Sequence, residues 1–466
     1  MKKVVVIGGG LSGLSAARAV KEAAASAQVD VSVTLLEKES AVGGKIRSAR
    51  EEGFVCEYGP NGFLDNKPST MALTGRMGIK DRILRSNDSA RKRYIFTGKR
   101  MQQLPEDPMN FLMSEVLSIR GKMRLAADFF LPQGEVGKDE TVAGFVRRRL
   151  GEEALDKLID PMSAGIYAGD PSVMSIKSCF PKVKAIEDQF GGLLRGMLAM
   201  KQMAKARGQE GPQGAGPGGV LWSFATGTGE LCELLAKDLG NSILTGVSAI
   251  ALERSEKDWK VRTSDGGTID AEEVVLAAPA YDGANLLRPH SLEIASIMSN
   301  IPYVPMAVIC LGFDKQEFGN PLDGFGFLIP KKEGKKILGS LWSSSIFKGR
   351  APDGKVLITV MMGGARNPEV TLLDDDALLN LCKGEVKATM GVVSEPCFVK
   401  IFRWKKAIPQ YLVGHSERVE KIECALACLP GLHLGGNAYY GIGINDCTAR
   451  SEILGKKVLT SLCERG

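Results

Sequence analysis

The amino-acid sequence predicts an α/β protein, α+β overall, whose first domain is divided between the two ends of the chain. The chain opens on an apolar run, KKVVVIG, that enters a glycine-rich turn and an alanine-rich segment. A second apolar run, VDVSVTLLE, follows and completes a βαβ unit. The C-terminal segment repeats the order of strand, glycine turn and helix, which predicts that the other domains are inserted between the two parts.

Bulk composition excludes several classes of protein. The chain of 466 residues is too long for one ordinary core, and 44% hydrophobic with 24% charged residues is typical of a globular protein. A net charge of +6 suits an anionic ligand or an acidic membrane surface, but not nucleic-acid binding. No uncharged apolar stretch reaches the roughly 18 to 20 residues that span a bilayer. The motif starting at Val4 leaves no room for a targeting peptide.

The ten cysteines are scattered and none stands in CxxC spacing, so no metal site is predicted. Cys424 and Cys428 lie one helical turn apart, where we expect buried thiols. Free thiols in this number fit a reducing cytosol.

The periodicity predicts the elements in chain order. The first helix runs from Leu14 to about Ala27, and a strand ends on Glu37. Residues 99–207 have helical spacing, notably in FLMSEVLSIRGKMRLAADFF and ETVAGFVRRRLGEEALDKLID, and 208–219 form a polar, flexible loop. SILTGVSAIALE and WKVRTSD predict an antiparallel addition before the buried strand EEVVLAAPA. A separate sheet is predicted from VPMAVICLGFD, GFGFLIP, KKILGSLW and KVLITVMMGG.

The glycines Gly8, Gly10 and Gly13 form a GxGxxG pattern between the first strand and helix. In a Rossmann-type fold the first glycine permits the turn, the second lets a pyrophosphate approach the backbone, and the third lets helix meet strand. The helix N-terminus attracts the phosphates, and Glu37 at the end of the second strand is placed to accept the ribose hydroxyls. Together these features predict a dinucleotide site.

Gly43 and Gly44, followed by Lys45 and Arg47, resemble the double-glycine extension of FAD enzymes in the amine oxidase and phytoene desaturase superfamily. The resemblance implies FAD as cofactor and a mixed-sheet substrate domain. It further implies that EYGPNGF runs under the flavin ring, that Val247 contacts the adenine through its backbone, and that the amides of YYGIGIND face the flavin N1–C2=O edge. The cofactor-binding residues implied are Gly8, Gly9, Gly10, Leu11, Ser12, Gly13, Glu37, Lys38, Gly43, Gly44, Lys45, Gly59, Pro60, Asn61, Gly62, Val247, Trp404, Ile442, Gly443 and Ile444.

Further motifs, nearly end to end, resemble the protoporphyrinogen oxidase family. They are GPNGFLD, RKRYIF, GIYAGDP, SIKSCFP, GFGFLIP, VMMGGAR, IPQYLVGH and YGIGINDC, of which GIYAGDP, IPQYLVGH and INDC are the more specific. The resemblance implies the six-electron oxidation of protoporphyrinogen IX to protoporphyrin IX, with O2 reduced to peroxide. His290, His415 and His433 have no triad-like context, so no catalytic base is assigned.

The same resemblance implies a substrate site. Arg93 would pair with a propionate, although a solvated arginine in a basic cluster is the alternative. Asn61 would lie near flavin and substrate, and Ala168 and Gly169 would leave space for the macrocycle. Leu328 and Met361 would clamp the pyrrole faces with Phe327 close by, whereas periodicity alone favours ordinary core residues.

The domains expected are a first FAD-binding part (1–90), a mostly helical membrane-binding and substrate-entry domain (91–207), the loop 208–219, a second FAD-binding part (220–292), a substrate-binding domain (293–430) and a C-terminal FAD-binding part (431–466). GGLLRGMLAMKQMAKAR is either an interfacial helix or one packed on its own domain. Without an organelle-targeting extension, a bacterial cytoplasmic enzyme, peripheral on the inner face of the cell membrane, is expected. The resemblance also implies a homodimer and hand-off of product to a ferrochelatase.

Other functions compete with this one. Coproporphyrinogen III oxidase shares the motifs, and a substrate with four carboxylates should need more cationic residues. An amine oxidase or carotenoid desaturase is disfavoured by INDC and IPQYLVGH. The Rab GDP-dissociation inhibitors share the architecture but bind proteins without flavin chemistry.

Overall fold

The computed structural model describes residues 1–105, 108–206, 219–255 and 258–465, so the predicted loop 208–219 lies outside the described residues except for Gly219. The strands are β1 Lys2–Ile7, β2 Val31–Glu37, β3 Ser48–Glu51, β4 Phe54–Glu57, β5 Phe63–Leu64, β6 Ile83–Arg85, β7 Tyr94–Thr97, β8 Arg100–Gln103, β9 Leu221–Phe224, β10 Ile243–Thr245, β11 Ala249–Arg254, β12 Trp259–Thr263, β13 Thr268–Ala271, β14 Glu273–Leu276, β15 Tyr303–Asp314, β16 Gly326–Leu328, β17 Ile337–Leu341, β18 Lys355–Gly363, β19 Phe398–Pro409 and β20 Leu432–Leu434.

The α-helices are α1 Leu11–Ser26, α2 Ser69–Arg76, α3 Pro108–Met113, α4 Ile119–Ala126, α5 Val142–Arg149, α6 Glu152–Ala154, α7 Asp160–Tyr167, α8 Ile176–Cys179, α9 Pro181–Phe190, α10 Leu193–Ala206, α11 Gly229–Leu239, α12 Ala280–Leu287, α13 Leu292–Ser299, α14 Lys315–Phe318, α15 Ser343–Ile346, α16 Asp375–Met390, α17 His415–Leu426 and α18 Ile444–Glu464. A π-helical turn, Leu155–Ile159, joins α6 to α7. The mixed α/β fold class is therefore confirmed.

A parallel sheet takes its strands from distant parts of the chain, in the order β10-β2-β1-β14-β20. Val4 and Val6 of β1 pack under α1, α11 and α18, whereas Val5 and Ile7 face α12, α13 and α17. Because helices cover both faces, these strands are continuously apolar rather than alternating. Strands from both ends of the chain thus lie side by side in one sheet.

The antiparallel addition expected between 243 and 276 is confirmed: β11, β12 and β13 form an antiparallel sheet, and β14 then enters the parallel sheet. The first helix begins at Leu11, three positions before the predicted start, because the backbone becomes helical directly after Gly10. The expectation of buried thiols at Cys424 and Cys428 is wrong, since both are exposed on α17 and the turn after it.

The separate sheet is also confirmed, in the order β19-β15-β18-β17-β16-β7-β8. One face packs against α16, and the other carries Ala164 of α7. The edge hairpin β7–β8 corrects the prediction that helical structure begins near residue 99, because Arg100–Gln103 pairs with Tyr94–Thr97 instead. Strand β7 joins this sheet through its parallel pairing with β16.

The helical segments are shorter than their periodicity suggests. Ser118 accepts a hydrogen bond from the Gly121 amide at 3.0 Å and so starts a new helix, which separates α3 from α4. Gly151, with φ of 93°, separates α5 from α6. The π-helical turn then precedes Pro161 in the first turn of α7. The i→i+5 hydrogen bonding of a π turn widens the helix just before a proline, which has no N–H to donate.

Candidate functional site

The turn from β1 into α1 is closely packed on the protein side and open on the other. Gly8 has φ of +111°, and a Cβ there would lie 3.0 Å from backbone atoms of Ala277 and Ala278. A Cβ at Gly13 would overlap the carbonyl oxygen of Gly8, so helix and strand meet at this position. At Gly10 the nearest atom to a Cβ is 4.0 Å away, so the free amides of the helix N-terminus face open space.

The carboxylate of Glu37 is buried beside this turn. Its Oε2 accepts a hydrogen bond from the Gly9 amide at 2.7 Å, and its Oε1 accepts one from Glu39 at 2.8 Å. A Cβ on Gly9 would come within 2.8 Å of the Glu37 side chain. Since each carboxylate oxygen can accept more than one hydrogen bond, acceptor positions remain for two hydroxyl groups of a ribose.

Two further backbone segments close on the turn. The Gly43 amide donates to the Gly9 carbonyl at 2.8 Å, and a Cβ on Gly44 would lie 3.2 Å from the Cα of Gly10. The amide of Val247 donates to the carbonyl of Glu37 at 3.0 Å. Gly43 and Gly44 therefore pack against the glycine turn, and Val247 lies beside the end of β2.

Lys45 leaves the Gly43–Gly44 loop toward the second sheet. Its Nζ donates to the carbonyl of Ala407 and lies 5.0 Å from the centre of the Tyr303 ring. Burial lowers the pKa of Lys45 to about 8, against the opposing effect of Asp282. The lysine is thus a half-buried cation at the junction of the two sheets.

The segment Gly59–Gly62 lies against the Lys45 loop. A Cβ on Gly59 would be 2.7 Å from the Lys45 carbonyl oxygen, and one on Gly62 would overlap the carbonyl of Trp222. The indole N–H of Trp404 donates to the carbonyl of Tyr58 at 2.9 Å and fastens this segment to β19. Pro60 is exposed, and the carbonyl of Pro60 accepts from Thr228 at 2.9 Å.

A buried ionic network supports that segment, and the sequence alone does not reveal which residues form it. Glu57 accepts hydrogen bonds from Ser48 at 2.6 Å and from the Thr228 hydroxyl at 2.7 Å. The guanidinium of Arg350 lies 3.2 Å from the Glu57 carboxylate. It also donates to the carbonyl of Ala225, which is 125 positions earlier in the chain. A buried charge needs a partner, so a glutamate among the apolar residues of a strand, such as Glu57, indicates that a basic side chain packs on it. The sequence does not show which basic residue that is.

The turn before α18 is fixed by two of the motifs. The hydroxyl of Tyr411, from IPQYLVGH, accepts from the Gly441 amide at 2.9 Å and donates to the carbonyl of Asn437 at 2.7 Å. Asp446 accepts from the Gly443 amide at 3.2 Å. Asn445 donates to the carbonyl of Leu64 at 2.7 Å, which ties the turn to the segment after Gly62.

The remaining predicted cofactor residues divide between the helices and the surface. Leu11 and Ser12 begin α1, and the carbonyl of Ser12 accepts from Ser451 of α18 at 3.0 Å. Ile444 begins α18, and Ile442 packs against the helical region. Lys38 is half-exposed and paired with Asp282 at 3.1 Å, so its side chain points along the surface.

Two of the predicted substrate residues, Leu328 and Met361, lie in one row of the second sheet. Leu328 pairs with Gly339, and Gly339 pairs with Met361, so the two large side chains flank a glycine. Both are partly exposed, and Met361 packs beside Trp404. Arg93 immediately precedes β7, and its guanidinium lies 5.2 Å from the Phe325 ring. Leu328 and Met361 therefore share one row of the sheet with Ile95, whereas Arg93 lies two positions before Ile95, just before β7 begins.

Asn61 lies in the segment under the Trp404 contact and is half-buried. Its amide makes one long hydrogen bond, 3.4 Å to the carbonyl of Gly59. The side chain is thus held by its own turn and borders the same opening as Gly59.

Three predicted substrate residues are placed differently from expectation. Phe327 alternates with Leu328, so its side chain is buried in the core under α16, on the opposite face of the sheet. A Cβ on Gly169 would lie 2.5 Å from Met174 Sδ and 2.6 Å from Gln410, so this glycine borders protein rather than free space. Ala168 is buried in a left-handed conformation with φ of 48° and packs against Gly364.

The histidines all have structural partners. His290 bonds to the carbonyl of Leu252 at 2.8 Å, and His433 bonds to the buried carboxylate of Glu273 at 2.5 Å. His415 stacks on Tyr411 with ring centres 4.0 Å apart. None of the three lies among the residues that form the candidate site.

The fold and much of the sequence match known proteins. A family model described as flavin containing amine oxidoreductase matches residues 11–450. The coproporphyrinogen III oxidase of Bacillus subtilis (strain 168) is 30% identical over 477 residues, covering 99% of this chain and 98% of that protein. The chloroplastic protoporphyrinogen oxidase of Nicotiana tabacum is 30% identical over 462 residues, covering 95% of this chain and 83% of that protein. A crystal structure from Exiguobacterium sp. 255-15, provisionally described as a protoporphyrinogen oxidase, has a TM-score of 0.83, with 26% identity over 98% of both chains.

Proposed function

Since the chain belongs to the flavin-containing amine oxidoreductase family and has FAD as its cofactor, we propose that it oxidises protoporphyrinogen IX to protoporphyrin IX with O2 as acceptor. The observation that carries this proposal is the end-to-end similarity to porphyrinogen oxidases, which covers 95% of the chain in the comparison with the Nicotiana tabacum protoporphyrinogen oxidase. A match confined to the nucleotide motif would support only FAD binding. The coproporphyrinogen III oxidase among the relatives makes that substrate the alternative.

The glycine environments described above fit this cofactor. The open face at Gly10 would receive the pyrophosphate, the free acceptors of Glu37 would bind the adenosine ribose, and the backbone at Val247 would contact the adenine. FAD supplies the acceptor for hydride equivalents removed from the macrocycle. We infer that the parallel sheet is a Rossmann-type FAD-binding domain whose parts lie within 1–90, 220–292 and 431–466.

The chain's own contribution is orientation and exclusion of water. The Gly441 and Gly443 amides hold the turn by donating to Tyr411 and Asp446, so the neighbouring amides of Ile442 and Ile444 would be the donors for the pyrimidine edge of the flavin. Leu328 and Met361 present apolar surface to a flat substrate across Gly339. Arg93 would bind a propionate through two parallel N–H···O bonds.

The test is a side-by-side fluorometric assay of protoporphyrinogen IX and coproporphyrinogen III with purified protein, together with O2 consumption. Faster oxidation of protoporphyrinogen, with peroxide formed, supports the proposal. A preference for coproporphyrinogen assigns the alternative substrate. A colourless protein without flavin absorbance would instead favour a binding protein of the GDP-dissociation-inhibitor type.

The helical region carries an apolar surface that we propose contacts a membrane. Helix α10 exposes Met197, Leu198, Met200 and Met203, and Phe130 beside it is 81% exposed. Arg195 of α10 donates to the carbonyl of Phe129 at 2.7 Å, so the two apolar groups adjoin. Helix α10 itself also carries the basic residues Arg195, Lys201 and Lys205, which would attract anionic lipid headgroups.

No helix in the described parts of the chain is both long and apolar enough to cross a bilayer. The contact that we propose is peripheral, on the inner face of the cell membrane. Flotation with anionic vesicles should recover the wild type and lose the Met197→Glu, Leu198→Glu variant. Equal flotation of both would refute the surface. A homodimer and transfer of product to a ferrochelatase stay proposals that sedimentation and a coupled assay can test.

A further inference from the structure

Helix α7 covers the sheet face that carries the proposed substrate residues. A Cβ on Gly165 would lie 2.9 Å from both terminal methyl groups of Leu328, so helix and strand are in direct contact. Ala164 and Ala168 of the same segment pack in the cluster that includes Met361 and Trp404. The position of α7 therefore sets how far the Leu328 and Met361 side chains reach from the sheet.

Arg366 joins the start of this helix to the strand it covers. Its Nη2 lies 2.8 Å from Asp160 Oδ2 and donates to the Asp160 carbonyl at 2.9 Å, while Nη1 donates to the carbonyl of Ile329 at 2.8 Å. The Asp160 carboxylate also accepts from the Lys331 amide at 2.7 Å. Ile329 follows Leu328 directly, and Lys331 comes two residues later. The Arg366 guanidinium therefore connects Asp160, at the start of α7, to the chain just after β16.

The other end of α7 is held by the same loop. The Ala365 amide donates to the carbonyl of Ala168 at 2.8 Å, and a Cβ on Gly364 would approach that oxygen to 2.6 Å. The segment Gly363–Arg366 follows β18, the strand of Met361. Both ends of α7 are therefore attached to the chain segment that supplies one of the two proposed clamp residues.

Burying the charges of Arg366 and Asp160 costs desolvation free energy, which argues that the pair serves to position α7 rather than to stabilise the fold. The side chains of Arg366 and Asp160 are 6% and 9% exposed. Burial raises the pKa of Asp160 and lowers the pKa of Arg366, each against the attraction of the other. Buried ion pairs are often no more stable than well-packed apolar residues of similar size, whereas a guanidinium with several fixed acceptors defines a geometry.

We propose that Arg366 and Asp160 form a positioning pair that fixes α7 against the sheet and thereby sets the positions of the Leu328 and Met361 side chains, beside which a flat macrocycle would bind. The proposal rests on the proposed function for the identity of the substrate. Neither residue touches substrate or cofactor, so their effect is on substrate binding geometry. The loop after β18 thus acts on the proposed substrate residues through α7.

The experiment compares Arg366→Met, Asp160→Leu and the double variant with wild-type holoenzyme. Each single variant leaves a buried charge without its partner, so Tm falls. In the double variant Tm recovers, but kcat/KM for the porphyrinogen stays about tenfold or more below wild type, because a small misplacement is costly to the reaction. Flavin content is unchanged throughout, and the amides of 160–168 exchange hydrogen faster in the double variant.

The matched control is the buried pair Arg149 and Asp128, both 0% exposed and placed in the helical region. The double variant Arg149→Met, Asp128→Leu should keep the wild-type KM. Wild-type kinetics and exchange in the Arg366→Met, Asp160→Leu variant would show that the pair is merely structural. If wild-type protein oxidises neither porphyrinogen, the proposed function fails, and the exchange of 160–168 still decides whether the pair holds α7.

Discussion

Replacing Gly10 with valine separates folding of the chain from binding of FAD. Gly10 has φ of −74° and ψ of 176°, a conformation that any residue adopts, and the nearest atom to its Cβ position is 4.0 Å away. The gain from restricting the unfolded chain and the loss of a favourable N-cap are both below about 1 kcal/mol and oppose each other. The stability of the apoprotein should therefore change by less than about 1 kcal/mol.

The holoprotein should behave differently. The valine side chain would occupy the open face of the helix N-terminus, where the pyrophosphate is expected. A ligand at a hundredfold excess over its Kd stabilises the folded state by about 2.7 kcal/mol, and the variant would forfeit that amount. Gly13→Ala is the contrasting variant, because its Cβ would overlap the Gly8 carbonyl and should destabilise the apoprotein itself.

The assay is thermal unfolding of apo- and FAD-loaded protein, with the flavin absorbance of the purified variants as a second measurement. We expect Gly10→Val to match wild-type apoprotein and to gain nothing from added FAD, while Gly13→Ala unfolds earlier in both conditions. A Gly10→Val protein that is yellow and gains stability from FAD would refute the placement of the pyrophosphate at this turn.

Three further predictions concern the substrate site, the closing turn and pH. Arg93→Ala should raise KM for protoporphyrinogen with FAD content unchanged, while Arg91→Ala, at an exposed neighbour, leaves KM as it is; equal KM in both removes Arg93 from the site. Tyr411→Phe removes the acceptor of the Gly441 amide and should cost about 1–3 kcal/mol of stability and weaken FAD retention in dialysis; full retention would contradict the role given to this turn. Burial lowers the pKa of His415 to about 4, below its ordinary 6.5, so the unfolded chain binds the proton first and about 3 kcal/mol of stability is lost as pH falls from about 6.5 to about 4. Denaturant unfolding of wild type and His415→Phe at several pH values should show this loss only in the wild type, and parallel profiles would exclude it.

The nucleotide turn could be predicted because its determinants are local. Gly8, Gly10, Gly13 and Glu37 belong to one βαβ unit, in which the chain order fixes which groups meet. The loop at Gly43–Gly44 follows directly and has little freedom in where it can go. These residues lie together in the structure as the spacing indicates.

The substrate face could be predicted only in part, because a side chain's face depends on register. A bulge between Ile337 and Gly339 shifts the pairing with β18, and Gly326 has φ of +128°. Neither irregularity can be inferred from alternation. Alternation by itself places Phe327 on the face opposite to Leu328, and the expectation that Phe327 lies close to the substrate comes from the family resemblance alone. The expectation that Gly169 leaves space for the macrocycle is wrong because Met174 and Gln410 pack against this glycine, and the sequence does not reveal that contact.

Contacts between distant segments were not predictable at all. Glu57 and Arg350 lie 293 positions apart and Asp160 and Arg366 lie 206 positions apart, so neither pair carries a spacing signal. Their pairing is evident only after the sheets bring the segments together. Long-range ion pairs of this kind determine where the predicted motifs finally lie.

The mixed origin of the parallel sheet has a consequence for how the chain acquires its structure during synthesis. Glu273 of β14 bonds to His433 of β20, 160 positions later, so one edge of β14 has no neighbour until that later segment has left the ribosome. The inserted sheet, by contrast, has most of its strands within one continuous stretch and can form first. The edge of β14 that pairs with β20 is thus exposed while the residues between these two strands are being synthesised.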